Sequence, residues 1–137
     1  MKIAKEFNWE MGHRLPFHEG KCKNLHGHSY KCMIEVTGEP DGNGMVLDYY
    51  ELKKITEPIF EELDHSFIVW NEDKELIDAL SKLNSRMVVV NFQTTAENLC
   101  FYLLKKIKAA KLPANIKALK VRVLETENTY AEEEVFI

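Results

Sequence analysis

Four stretches of the chain alternate apolar and polar side chains at period two, the pattern of strands with one buried face. Over residues 2–10 the larger apolar members are Ile3, Phe7 and Trp9. Over 29–37, Tyr30, Cys32, Ile34 and Val36 share one face, and Lys31, Met33, Glu35 and Thr37 the other. "ALKVRVLET" puts Leu119, Val121, Val123 and Glu125 together, and "EEEVFI" makes a last strand. "GEPDGNG" at 38–44 carries the turn chemistry that ends the second strand. From Leu47 the period lengthens: Leu52, Ile55, Ile59 and Leu63 predict an amphipathic helix over 48–63. Pro58 inside it costs about 3 kcal/mol or forces a kink. Thr94 and Glu97 stand at capping-box spacing ahead of Leu99, Leu103 and Ile107, so a second helix runs to about Lys111 and stops before Pro113. Residues 64–93 are less regular. The pattern predicts an α+β fold, an antiparallel four-stranded sheet with two helices packed on one face. Its open sheet edges favour association with further copies.

Composition narrows the function classes. The 137 residues suit one domain with a real core. A net charge of −4 without basic runs argues against a nucleic-acid binder, since phosphate neutralisation needs clustered Lys and Arg. No apolar run approaches the ~20 residues that cross a bilayer. The charged start "MKIAKEFNWE" is unlike a signal peptide. Three cysteines, an odd number, fit a reducing cytoplasm better than a disulfide framework.

The chemistry concentrates in "GKCKNLHGHSYKC", residues 20–32. In an extended "HGH", His26 and His28 point to the same side about 7 Å apart, within reach of one metal ion. A site needs further ligands, and His13 in "EMGHRLP" is the third candidate, with His18 its rival. Three histidines with an open position form a catalytic zinc pattern. Cys22 either closes the site as a fourth ligand or stays off the metal as a nucleophile or base, because a nearby cation favours the thiolate. Cys32 and Cys100 fall in apolar patterns and read as buried small hydrophobes. Asp64 and His65 in "LDHSF" follow the first helix: either a helix-end charge or a carboxylate orienting an imidazole for acid–base work. Glu125 continues an apolar face, where a carboxylate is costly unless paired. It either lies beyond the strand end in water or accepts two hydrogen bonds from a guanidine-like ligand edge. Thr95 and Glu97 complete the substrate-binding candidates, Glu97 with the simpler reading of a helix cap. The chain lacks G-x-G-x-x-G, so no nicotinamide or flavin is expected.

In order, "GHRLP", "GKCKNLHGHSY", "MVLDYYELK", "LDHSF", "TTAENL" and "VLETENTYA" resemble the 6-pyruvoyltetrahydropterin synthase family, which includes the 6-carboxytetrahydropterin synthases, nearly end to end. The resemblance implies a tunnelling fold whose subunits join sheets into a β-barrel, commonly as hexamers, with active sites at subunit interfaces. It implies His13, His26 and His28 as zinc ligands, Cys22 as catalytic thiol, Asp64 with His65 as proton-transfer pair and Glu125 as pterin anchor. The Cys-x3-His-Gly-His spacing is similar to the 6-carboxytetrahydropterin branch of queuosine biosynthesis, and a thiol at Cys22 is unlike the members that carry glutamate there. That branch implies 7,8-dihydroneopterin triphosphate as substrate and 6-carboxy-5,6,7,8-tetrahydropterin, acetaldehyde and triphosphate as products. A 6-pyruvoyltetrahydropterin synthase and a zinc-stabilised pterin-binding module are the alternatives. Met11 and Gly12 depart from the small residues usual before the first histidine, which bears on substrate preference.

Overall fold

The computed structural model describes residues 1–137. Strand β1 (Lys2–His13) and strand β2 (His26–Gly38) form a long antiparallel ladder, joined by a loop containing one 3-10 turn (Lys21–Lys23). Helix α1 (Tyr49–Leu63), strand β3 (Ser66–Trp70), helix α2 (Lys74–Lys82), strand β4 (Met87–Val90), helix α3 (Ala96–Ala109), strand β5 (Ile116–Thr126) and strand β6 (Thr129–Phe136) follow. The sheet order is β4-β3-β1-β2-β5-β6. The four expected strands are all present and pair antiparallel with one another in the order β1-β2-β5-β6, but the sheet has six strands. β3 and β4 add a corner that runs parallel to β1 and to each other. β3 escaped period counting because Ile68 and Val69 are both buried, one on each face, so no alternation exists to be read.

There are likewise three helices, not two, and they do not share one face. α1 and α3 cover a core built on Trp9, Tyr30, Ile34, Leu119, Val121 and Val123. Cys32 and Cys100 are buried in it, as their apolar surroundings implied, and Cys100 Sγ donates to the Val121 carbonyl at 3.1 Å. α2 packs through Leu76 and Leu80 onto Val69, with Phe67 alongside. Since Phe67 and Val69 alternate with core residue Ile68, α2 lies on the opposite side of the sheet.

Helix ends follow local chemistry. Asp48 caps α1, accepting from the Tyr50 N–H at 2.8 Å. α1 runs on through Pro58 and buries Leu52, Thr56, Phe60 and Leu63, with Ile55 and Ile59 at the margin of the stripe. α3 is capped by Thr95, which accepts from the Asn98 N–H at 3.2 Å, and not by Thr94 as the capping-box spacing suggested. Thr94 is buried and turned inward. No helix is long and apolar enough to cross a membrane.

Candidate metal centre and active site

β1 and β2 each run three residues further than their apolar alternation, and the extra residues carry the histidines. The register sets His13 opposite His26 and Met11 opposite His28. At period two these imidazoles stand on the face of Trp9 and Tyr30, so the site is the end of the core. One ligating atom from each of His13, His26 and His28 lies within 4.8 Å of the other two. His13 Nδ1 lies 2.8 Å from the Thr94 carbonyl, and His26 Nδ1 lies 2.7 Å from the Asn24 carbonyl. A carbonyl only accepts, so both nitrogens carry the proton and both Nε2 lone pairs are free. Nε2 of His13 and of His28 are buried with no hydrogen-bond partner.

Burial, opposed by the Thr94 hydrogen bond and aided by His26 and His28, lowers the His13 pKa to about 4. Burial and then His26 also lower that of His28. Both rings are therefore neutral near pH 7, the form that binds metal. Three imidazoles with convergent nitrogens, two of them buried without a partner, fit a divalent ion such as zinc, with a coordination position left over. His18 stands outside the group, its Nδ1 accepting from the Gly20 N–H at 2.9 Å.

Glu125 faces this group rather than solvent. Its Oε1 is 4.0 Å from His13 Nε2 and its Oε2 3.9 Å from His28 Nε2. Burial and then the neighbouring charge of Glu97 raise its pKa, with His26 opposing. Beside it the Tyr30 hydroxyl is buried without a partner, and its ring packs edge-on to His28 at 5.3 Å between centroids. Thr95 and Glu97 sit at the start of α3, Thr95 engaged as its cap and Glu97 in its first turn. Met11 is buried in the core. Gly12 is needed for packing, since a Cβ there would stand 2.7 Å from the Phe67 ring.

The other candidates lie apart from the imidazoles. Cys22 is in the 3-10 turn, half-buried, and its sulfur is not in the three-nitrogen group. Its carbonyl accepts from the Leu15 N–H at 2.9 Å, tying the turn to the chain just after His13. Asp64 ends α1; its Oδ1 accepts from the Glu10 N–H at 2.9 Å and stands 2.9 Å from His65 Nδ1. The Glu10 hydrogen bond, with a smaller contribution from His65, holds this carboxyl below its usual range. His65 has φ 58° and its N–H donates to the Glu10 carbonyl at 2.7 Å. Its exposed ring borders a cleft of about 380 Å³ with Gly12, Gly27, Ser29 and Phe67. Met11 and His28 also line it, but Gly12, Gly27 and Ser29 alternate with the metal-facing histidines, so the Asp64–His65 pair lies toward the other face of the sheet. It makes no hydrogen bond or ion pair with Cys22 or the three imidazoles.

A family model described as 6-pyruvoyl tetrahydropterin synthase matches residues 2–135. The chain belongs to that family. The 6-carboxy-5,6,7,8-tetrahydropterin synthase of Haemophilus influenzae is 37% identical over 139 residues, covering 96% of both chains. The protein of the same name from Aquifex aeolicus is 37% identical over 157 residues, again covering 96% of each. The crystal structure of the Plasmodium vivax 6-pyruvoyl tetrahydropterin synthase superposes with a TM-score of 0.80 at 19% identity, covering 100% of this chain and 98% of that one, a likeness of fold.

Motif reading missed Thr94, Tyr30 and the ion pair between Arg14 and Asp73. Thr94 had one available signal: of two adjacent threonines before a helix only one can be its cap, which leaves the other for a different task.

Proposed function

We propose that the chain is a zinc-dependent synthase converting 7,8-dihydroneopterin triphosphate and one water to 6-carboxy-5,6,7,8-tetrahydropterin, acetaldehyde and triphosphate. The observation that carries the reading is the three-histidine group, with His13 and His28 Nε2 buried and unpartnered, directly beside the half-buried Glu125 carboxylate. The relatives named 6-carboxy-5,6,7,8-tetrahydropterin synthase support the choice of product. His13, His26 and His28 hold the ion, which when bound supplies Lewis-acid stabilisation of negative charge on the substrate's side-chain oxygens. Glu125 accepts from the amino-pyrimidine edge of the pterin, and Thr95 and Glu97 flank that edge. The anchor fixes the side chain relative to the metal, which is worth more than affinity because it orients the reacting bonds. Cys22, as thiolate, moves protons at the side-chain carbons. His65, oriented by Asp64, relays them during elimination and carbon–carbon cleavage.

The residues act as one domain of an oligomer in the cytoplasm, a hexamer whose subunits extend one another's sheets into a barrel. Unpaired strand edges support this: beside the short edge strand β4 there are β6 and the part of β1 before Met11, since β3 pairs with β1 only at Met11 and Gly12. The outward-facing Asp64–His65 pair would then serve a neighbouring subunit's site, not its own.

Incubation with dihydroneopterin triphosphate and mass analysis of the product tests the reaction. Acetaldehyde with a carboxypterin is expected; a pyruvoyl product without acetaldehyde replaces this reading with that of a 6-pyruvoyltetrahydropterin synthase. Cys22→Ala is expected to retain stoichiometric zinc and lose turnover. Loss of zinc with the thiol would instead point to a zinc-stabilised binding module.

A further inference from the structure

His13 is the last residue of β1, where a strand end ordinarily frays, yet its ring is among the most buried polar groups in the chain. Two sets of contacts grip this end from opposite sides of the sheet. On the core side, Thr94 offers His13 Nδ1 its carbonyl at 2.8 Å and its hydroxyl oxygen at 3.2 Å. The same hydroxyl donates to the Arg14 carbonyl at 3.4 Å. On the other side, the Arg14 guanidinium forks onto Asp73, Nε to Oδ2 at 2.8 Å and a terminal nitrogen to Oδ1 at 2.6 Å. Asp73 is buried and is itself the N-cap of α2, accepting from the Leu76 N–H at 3.4 Å.

We infer that Arg14 and Asp73 are positioning residues of the metal centre: their ion pair, with Thr94, holds the end of β1 so that His13 presents Nε2 to the ion. A planar fork on a carboxylate fixes both distance and angle, which one point charge does not. Thr94 then sets the tautomer, since a protonated Nδ1 leaves only Nε2 to coordinate. This gives α2, the helix on the back of the sheet, a task at a site it does not touch. The inference rests on the metal-binding part of the proposed function and needs no assumption about substrate.

The test is zinc affinity of the full chain by competition with a chromophoric chelator, with the visible spectrum of the cobalt(II) form as second readout. Asp73→Asn keeps an N-capping side chain but removes the charge; Arg14→Lys keeps the charge but removes the fork. Each is expected to raise the zinc Kd about 10–100-fold, the usual consequence of losing an outer contact to a ligand, and to alter the cobalt bands. Glu132→Gln breaks a different ion pair, the single bond from Arg122 Nε at 2.8 Å between β5 and β6, and is expected to change neither. Zinc Kd within twofold of the parent in a folded Asp73→Asn or Arg14→Lys chain overturns the inference, as does an equal loss in Glu132→Gln. If Asp73→Asn does not fold, Arg14→Lys decides alone. A parent chain that takes up no zinc removes the metal reading itself, and the positioning role with it; parent uptake with unchanged variants removes only the role of the ion pair.

Discussion

The two ends of the β1–β2 ladder are built by the same alternation and filled by opposite chemistry. Toward Gly38 the core face carries Ile34 and Val36, fully buried against other apolar groups. Toward His13 the same face carries three imidazoles, of which two keep a buried nitrogen with no partner. The first end stabilises the fold by roughly 25 cal/mol per Å² of apolar surface withdrawn from water. The second desolvates polar atoms without replacing their hydrogen bonds, which costs about 1–3 kcal/mol for each. A strand pair can therefore be stable at one end and poised at the other, and the poised end is the one a metal ion would satisfy.

The largest effect that could break this contrast is metal uptake. Zinc at a thousand times its Kd is expected to stabilise the chain by about 4 kcal/mol, read as a rise in melting temperature over the metal-free protein. An unchanged melting curve would falsify the idea that the imidazole end is poised for an ion. At the apolar end, Ile34→Ala should cost about 3 kcal/mol in denaturant titrations and leave zinc affinity as it was. A lost zinc site in that variant would mean the two ends are not separable.

Acidification of the metal-free protein sharpens the comparison from another side. With the His13 pKa lowered to about 4 from an unfolded 6.5, the unfolded chain binds a proton that the folded chain refuses between these values. Stability is thus fully present above about pH 6.5 and declines as pH falls toward 4, by at most about 3 kcal/mol from this group. His28 is shifted the same way and adds to the slope. Denaturant midpoints at pH 7 and pH 5 measure it, and His13→Gln should flatten the difference. The smallest effect concerns Tyr30, whose hydroxyl has no partner. Tyr30→Phe is expected to raise stability by up to about 1 kcal/mol; a fall in melting temperature would mean that the hydroxyl is satisfied by water.

Legibility of the site depended on how far apart in sequence its parts are. His26 and His28 could be placed together because two residues of one strand share a face whatever the rest of the chain does. Glu125 could be suspected because it continues the apolar face of β5. Thr94 could not, since its task lies 81 residues away, against His13. Arg14 and Asp73 belong to no shared local motif, and they form a fork across 59 residues. The fold divides similarly: strands with one wet face were readable, whereas β3, wetted on neither, and α2, only nine residues long, were not.

Sequence by itself determined the long antiparallel strands, the two core helices, the three-histidine group and the family, because local periodicity and short motifs need no knowledge of distant neighbours. Tertiary structure alone decided the six-stranded order with its parallel corner, the face on which α2 lies and the burial that leaves His13 and His28 Nε2 without a partner. It also turned Asp64 and His65 away from the imidazoles. Those are matters of which groups are withdrawn from water together, and burial is a property of the packed chain, not of any segment in it.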